Sequence, residues 1–120
     1  MQYVYFLDAP EVNRIKIGCA ADPNSRVLQV ALMCPVDVTL LGYIEGDFSR
    51  EAELHRMFSH LHRRGEWFEG TNGLRHEISV AVLMDAWNAA GPEAREEFML
   101  RIDSPVFDRG AVEREFGARG

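Results

Sequence analysis

Two runs near the start of the chain, QYVYFL (2–7) and NRIKIG (13–18), alternate apolar and polar side chains with a period of two. That period is the mark of a strand, because successive side chains point to opposite faces. The intervening DAPEV contains a proline and reads as a hairpin loop. Val4 and Phe6 then share a core-facing surface with Ile15 and Ile17. The opposite face carries Tyr3, Tyr5, Arg14 and Lys16, with Gly18 leaving room at its end. This second face is the first candidate for chemistry.

The pattern then changes period. Asp22 followed by Pro23 is a helix start, since the Asp side chain accepts from free first-turn N–H groups and proline tolerates the first helical position. The helix runs from about Pro23 to Met33, with Arg26 in its opening turn. VDVTLLGYI (36–44) is β-branched and reads as a third strand. Ser49 caps a helix over 50–62, in which Leu54, Met57, Phe58 and Leu61 form an apolar stripe. RRGEWF turns at Gly65 and returns an aromatic pair to the body. EISVAVLM alone would pass for a buried strand, but Ile78, Val82, Leu83 and Trp87 favour a helix from about Arg75 to Ala89. Pro92 opens a short charged helix, PEAREEFMLRI, and the tail from 104 is expected to pack loosely or against a partner. The expected fold is a small α/β (α+β) domain, a three-stranded antiparallel sheet flanked by helices, with residues 1–70 as core and 71–120 as a C-terminal helical extension and tail of the same domain.

Composition narrows the function. A chain of 120 residues, 47% of them apolar, suits one domain with one core. No apolar run approaches a membrane span and the N-terminus lacks a signal-peptide pattern, so a cytoplasmic location and no membrane partner are expected. Cys19 and Cys34 have no metal-ligand spacing and read as free thiols. A net charge of −6 excludes coating of nucleic acid by bulk attraction, so any contact with it must be local.

The order VYF, IKIG, DPNSR, EAELHRMF and GEWF, within residues 3–68, resembles the GIY-YIG nuclease superfamily, and more narrowly its short phage T5-type branch. The resemblance implies a DNA endonuclease that uses one divalent cation, Mg²⁺ or Mn²⁺. Tyr5 matches the tyrosine of the first signature triplet and Lys16, Ile17 and Gly18 match the second. Arg26 matches the arginine on the scissile phosphate, and Glu51 the glutamate that holds the metal. His55, Glu66, Trp67 and Phe68 match supporting positions. The chain departs from the superfamily in lacking a glycine before Val4 and in having Lys16 where a tyrosine is usual, which leaves the general base open between Tyr5 and Lys16.

Those residue types suit phosphodiester hydrolysis, which needs a cation on the non-bridging oxygens, a metal or acid for the leaving oxygen and a group that activates water. Each also has a plain structural reading. Arg26 could pair with Asp22, and Glu66 with Arg63 or Arg64. His55, His60 and His62 do not converge on one helix face and lack a fourth ligand for structural zinc, so His55 reads as a contact beside Glu51. With Glu51 at 0° on a helix over 50–62, Glu53 points to about 200° and the apolar stripe to about 290°, while His55 lies at about 40° and His62 at about 20°. Glu51 is thus the metal ligand that helix geometry selects. Arg14, Arg63 and Arg64 are the expected nucleic-acid contacts, to backbone rather than bases. So small a domain leaves specificity to a homodimer, a fused or separate DNA-binding partner, or the tail. The alternative is a catalytically silent module of the same fold that binds nucleic acid or protein.

Overall fold

The computed structural model describes residues 1–103. Strands β1 (Tyr3–Ala9) and β2 (Arg14–Ala20) form the expected hairpin, pairing from Tyr3 opposite Ala20 to Ala9 opposite Arg14. A short 3-10 turn at Pro10–Val12 and a left-handed Asn13 (φ 53°) close it. Helix α1 spans Pro23–Met33, its first turn capped by the Asp22 side chain, which accepts from the Ser25 N–H and hydroxyl. Those same hydrogen bonds hold the Asp22 carboxyl below its ordinary pKa. Strand β3 (Thr39–Glu45) pairs with the outer side of β1, with a register shift between Phe6 and Leu7.

Beyond β3 the chain departs from expectation. Helix α2 covers Phe48–Met57 and is capped by Asp47, whose carboxylate accepts from the Ser49 N–H, so Ser49 lies inside the helix and is not its cap. After Met57 the chain tightens into a 3-10 turn (Ser59–Leu61) and opens into β4 (His62–Arg64), a left-handed turn at Gly65 (φ 56°) and β5 (Trp67–Glu69). The sheet therefore has five antiparallel strands among the described residues, in the order β3, β1, β2, β5, β4, where three were expected. Strands of three residues are too short to show alternation, and this hid β4 and β5. Helix α3 (Asn72–Ala89) begins at Thr71, whose hydroxyl accepts from the Leu74 N–H, and α4 covers Pro92–Asp103. The expectation for the tail from 104, including Phe107 and Phe116, lies outside the described residues.

Alternation in β1 and β2 divides the core in two. Val4, Phe6, Ile15 and Ile17 face α2 and α3 and pack with Ile44, Leu54, Phe58, Phe68, Leu74 and Ile78. Helix α3 thus contributes Leu74 and Ile78 to this main core. Of the stripe expected on α2, Met57 is exposed, because the helix ends there and Phe58 and Leu61 reach the core from the turn beyond. The other face, the first candidate for chemistry, is in part covered. Tyr5, Leu7 and Ala20 are buried there against Val27 and Val30 of α1 and Leu40. No helix among the described residues is long and apolar enough to cross a membrane.

Candidate active site

The site forms where the sheet, among the described residues, leaves part of β2 without an outer neighbour. Strand β5 pairs with β2 only over Arg14 to Lys16, with one further bond from the Ile17 N–H to the Glu66 carbonyl. The edge from Gly18 to Ala20 is left to side chains arriving from both faces. Tyr5 stands opposite Gly18 in the β1–β2 register. The pairing explains the glycine: a Cβ there would collide with the Tyr5 phenol and lie 2.9 Å from Glu66 Oε2. A glycine thus lets the phenol lie across β2 and brings its hydroxyl toward Glu66. The Tyr5 side chain is wholly buried, yet its hydroxyl has no hydrogen-bond partner among the described residues. Such a group carries a desolvation cost that a bound water or ligand would relieve.

Lys16, two residues before Gly18 on the same face, pairs with Glu66 Oε2, and its ammonium lies 5.7 Å from the centre of the Tyr5 ring. Glu66 had been open between Arg63, Arg64 and the site. It goes to Lys16, and Arg63 instead pairs with Glu69. Glu51 enters from α2 with its side chain 13% exposed. Burial raises its carboxyl pKa above the ordinary value, and repulsion from Glu66 adds to this, while His55 and Lys16 act in the opposite sense. Glu53 points away, 53% exposed and paired with Arg50 at 3.1 Å.

His55 holds α2 against this edge. Its Nε2–H donates to the Ile17 carbonyl at 2.9 Å and lies 3.6 Å from Glu51 Oε1, with the ring edge-on to Phe68. With Nε2 so engaged, His55 flanks Glu51 without hydrogen-bonding to it. The structure corrects the position of His62: it has left the helix for β4, where it bonds to the Gly65 carbonyl at 2.8 Å and packs on the far edge of Phe68. His60 lies in the intervening 3-10 turn. Arg26 is exposed on α1 and makes no side-chain hydrogen bond or ion pair among the described residues, so its pairing with Asp22 is not formed. It is close enough to act electrostatically on Cys19, as are Glu51 and Glu66. That buried thiol is held protonated, chiefly by desolvation, and lies 3.6 Å from Gln2 Oε1.

Arg14, Lys16, Arg63 and Arg64 line one cleft with Trp67, so the three arginines expected to contact nucleic acid stand together beside the site. No group of three or more His, Cys, Asp or Glu side chains among the described residues has metal-holding geometry. A hard divalent cation such as Mg²⁺ is commonly held by one or two carboxylates, with water and substrate oxygens completing its shell. Glu51 and Glu66, whose mutual repulsion such a cation would relieve, fit that donor set. The sequence singles out Glu51 as the metal ligand and gives Glu66 only as a supporting position. Only the β4–β5 turn, invisible as periodicity, brings Glu66 to β2. Compared with protein families, curated proteins and solved structures, the chain matches none.

Proposed function

We propose that this protein is a metal-dependent endonuclease that hydrolyses DNA phosphodiester bonds at the open edge of β2. The observation that carries the reading is the unpartnered hydroxyl of Tyr5, directed toward a carboxylate of the Glu51 and Glu66 pair across a glycine that alone leaves room for it. In this reading Glu51 and Glu66 hold Mg²⁺ or Mn²⁺, with His55 flanking Glu51. The cation, when bound, supplies Lewis-acid stabilisation of the leaving oxygen. Arg26, unpaired and exposed, binds a non-bridging phosphate oxygen and stabilises the charge that grows there. Lys16, paired with Glu66, and Tyr5, whose hydroxyl lacks a partner among the described residues, are the groups placed to position an attacking water. The reading carries with it a cytoplasmic location, beside DNA.

One observation favours a second reading, a catalytically silent module that binds nucleic acid or a protein partner: the Tyr5 hydroxyl is out of solvent contact while Glu66 lies beside it. Incubation of supercoiled plasmid with the protein in Mg²⁺, in Mn²⁺ and in EDTA separates the two. The nuclease converts the plasmid to open-circle or linear forms only with metal. Supercoiled plasmid left intact in both metals, from folded protein, would leave the silent module standing.

A further inference from the structure

The cleft beside the site has a composition that phosphodiester chemistry alone does not require. It encloses about 740 Å³, is walled on one side by Val30 of α1, and carries Arg14, Lys16, Arg63, Arg64 and Trp67 on the other. That volume is within the range of small-ligand sites, roughly 300–1,000 Å³. Four of the chain's 13 Lys and Arg residues gather here in a protein of net charge −6, and no Asp or Glu among the described residues lines the cleft. Register explains the arrangement. Lys16 on β2 is paired with Trp67 on β5, and Trp67 is paired with Arg64 on β4. Directly opposed residues project to the same face, so an indole stands between two cations across three strands. Arg64 makes no side-chain hydrogen bond or ion pair among the described residues.

An apolar wall, a half-buried indole and a cationic rim complement a flat base joined to phosphate. Stacking on an aromatic side chain with phosphates held by neighbouring cations is how single strands are bound without a sequence code. In a duplex the bases are already stacked and paired, and offer the indole nothing. We infer that this cleft binds an unpaired nucleotide, its base against Trp67 and its flanking phosphates on Lys16 and Arg64, so that the substrates are single-stranded or locally unpaired DNA. The inference rests on the nuclease reading for the nature of the strand, and on the cleft itself for the unpaired base. Lys16 belongs to both places, which sets a strand in the cleft on course to the edge of β2.

Fluorescence anisotropy in EDTA tests binding apart from cleavage. The probes are a labelled oligothymidylate, an abasic deoxyribose-phosphate strand of equal length and a blunt duplex of equal length. Wild-type protein is expected to bind oligothymidylate about ten-fold more tightly than either of the others, and Trp67→Ala to bring it to the abasic level. Trp67 is partly buried, so Met33→Glu gives an independent arm. Met33 lines the cleft with 88% of its surface exposed, and a carboxylate there weakens oligothymidylate binding several-fold at no cost to the fold. Equal affinity for the three probes, or oligothymidylate binding unchanged in folded Met33→Glu and Trp67→Ala, overturns the inference. Plasmid cleavage without any preference among the probes removes the cleft assignment and leaves the nuclease. The preference without metal-dependent cleavage does the reverse.

Discussion

The Tyr5 hydroxyl is buried without a partner among the described residues, and removing such a group relieves a desolvation cost rather than breaking a bond. Tyr5→Phe is therefore expected to be as stable as wild type, or more stable by up to about 1–3 kcal/mol, and to lose cleavage. Urea denaturation beside plasmid nicking checks both, and a variant destabilised by the change would show that the hydroxyl is bonded after all. Glu51 gives a second residue-scale test through pH. Its folded pKa is raised above the ordinary 4.5 by burial and by Glu66, against the pull of His55 and Lys16. Within the window that begins near 4.5 and extends upward, the folded state therefore holds more protons than the unfolded state, and stability falls as pH rises. Glu51→Gln removes that loss. Measured in EDTA, its melting temperature is expected to exceed that of wild type at pH 7, with the gap closing toward pH 4. A gap that widens on acidification contradicts the assigned direction.

Among the elements, the start of α3 is tied to β1 and the hairpin turn by Arg75. Arg75 Nη1 pairs with Asp8 Oδ2 of β1 at 2.7 Å, Nε donates to the Gly70 carbonyl at 3.2 Å, and Nη2 donates to Asn13 Oδ1 in the hairpin turn at 3.3 Å. The pair is intermediate between an exposed and a buried ion pair, so Arg75→Met is expected to cost about 2 kcal/mol, with cleavage unchanged at temperatures where the variant is folded. A chemical melt within error of wild type would show the tie to be dispensable. Nothing in the sequence announced Arg75, because its partners Asp8 and Asn13 are brought to it only by tertiary folding. The β1–β2 hairpin and α1 were legible, since seven-residue alternation and the Asp22-Pro23 cap are local signals. The end of α2 was not. The apolar spacing continues through Phe58 and Leu61, but it is carried past Met57 by a 3-10 turn, and this moves His62 from the helix to β4. Glu51 was found with its angular neighbour His55 because both lie within the part of α2 that is helical.

Over the whole molecule, an acidic chain gathers four of its 13 Lys and Arg residues in one cleft, and that limits how DNA affinity can depend on salt. Each phosphate neutralised on a single strand contributes about −0.7 to the slope of log K against log salt, so the four cleft cations together with Arg26 allow a slope no steeper than about −3.5. A salt titration of oligothymidylate binding checks this, and a much steeper slope would place contacts beyond these cations, as a dimer or an added DNA-binding partner would do. The central claim, however, concerns the carboxylates at the edge of β2, and two glutamates of one helix test it directly. Glu51 faces Glu66 and Lys16 beside the Tyr5 hydroxyl, while Glu53 lies exposed against Arg50. The deciding measurement is the initial rate of Mn²⁺-dependent plasmid nicking by Glu51→Gln, Glu53→Gln and wild type at equal concentrations of folded protein. A nuclease at this site predicts a loss on the order of 10²-fold or more for Glu51→Gln and a change of no more than a few-fold for Glu53→Gln. Nicking that survives in Glu51→Gln, or is lost in Glu53→Gln instead, would contradict it.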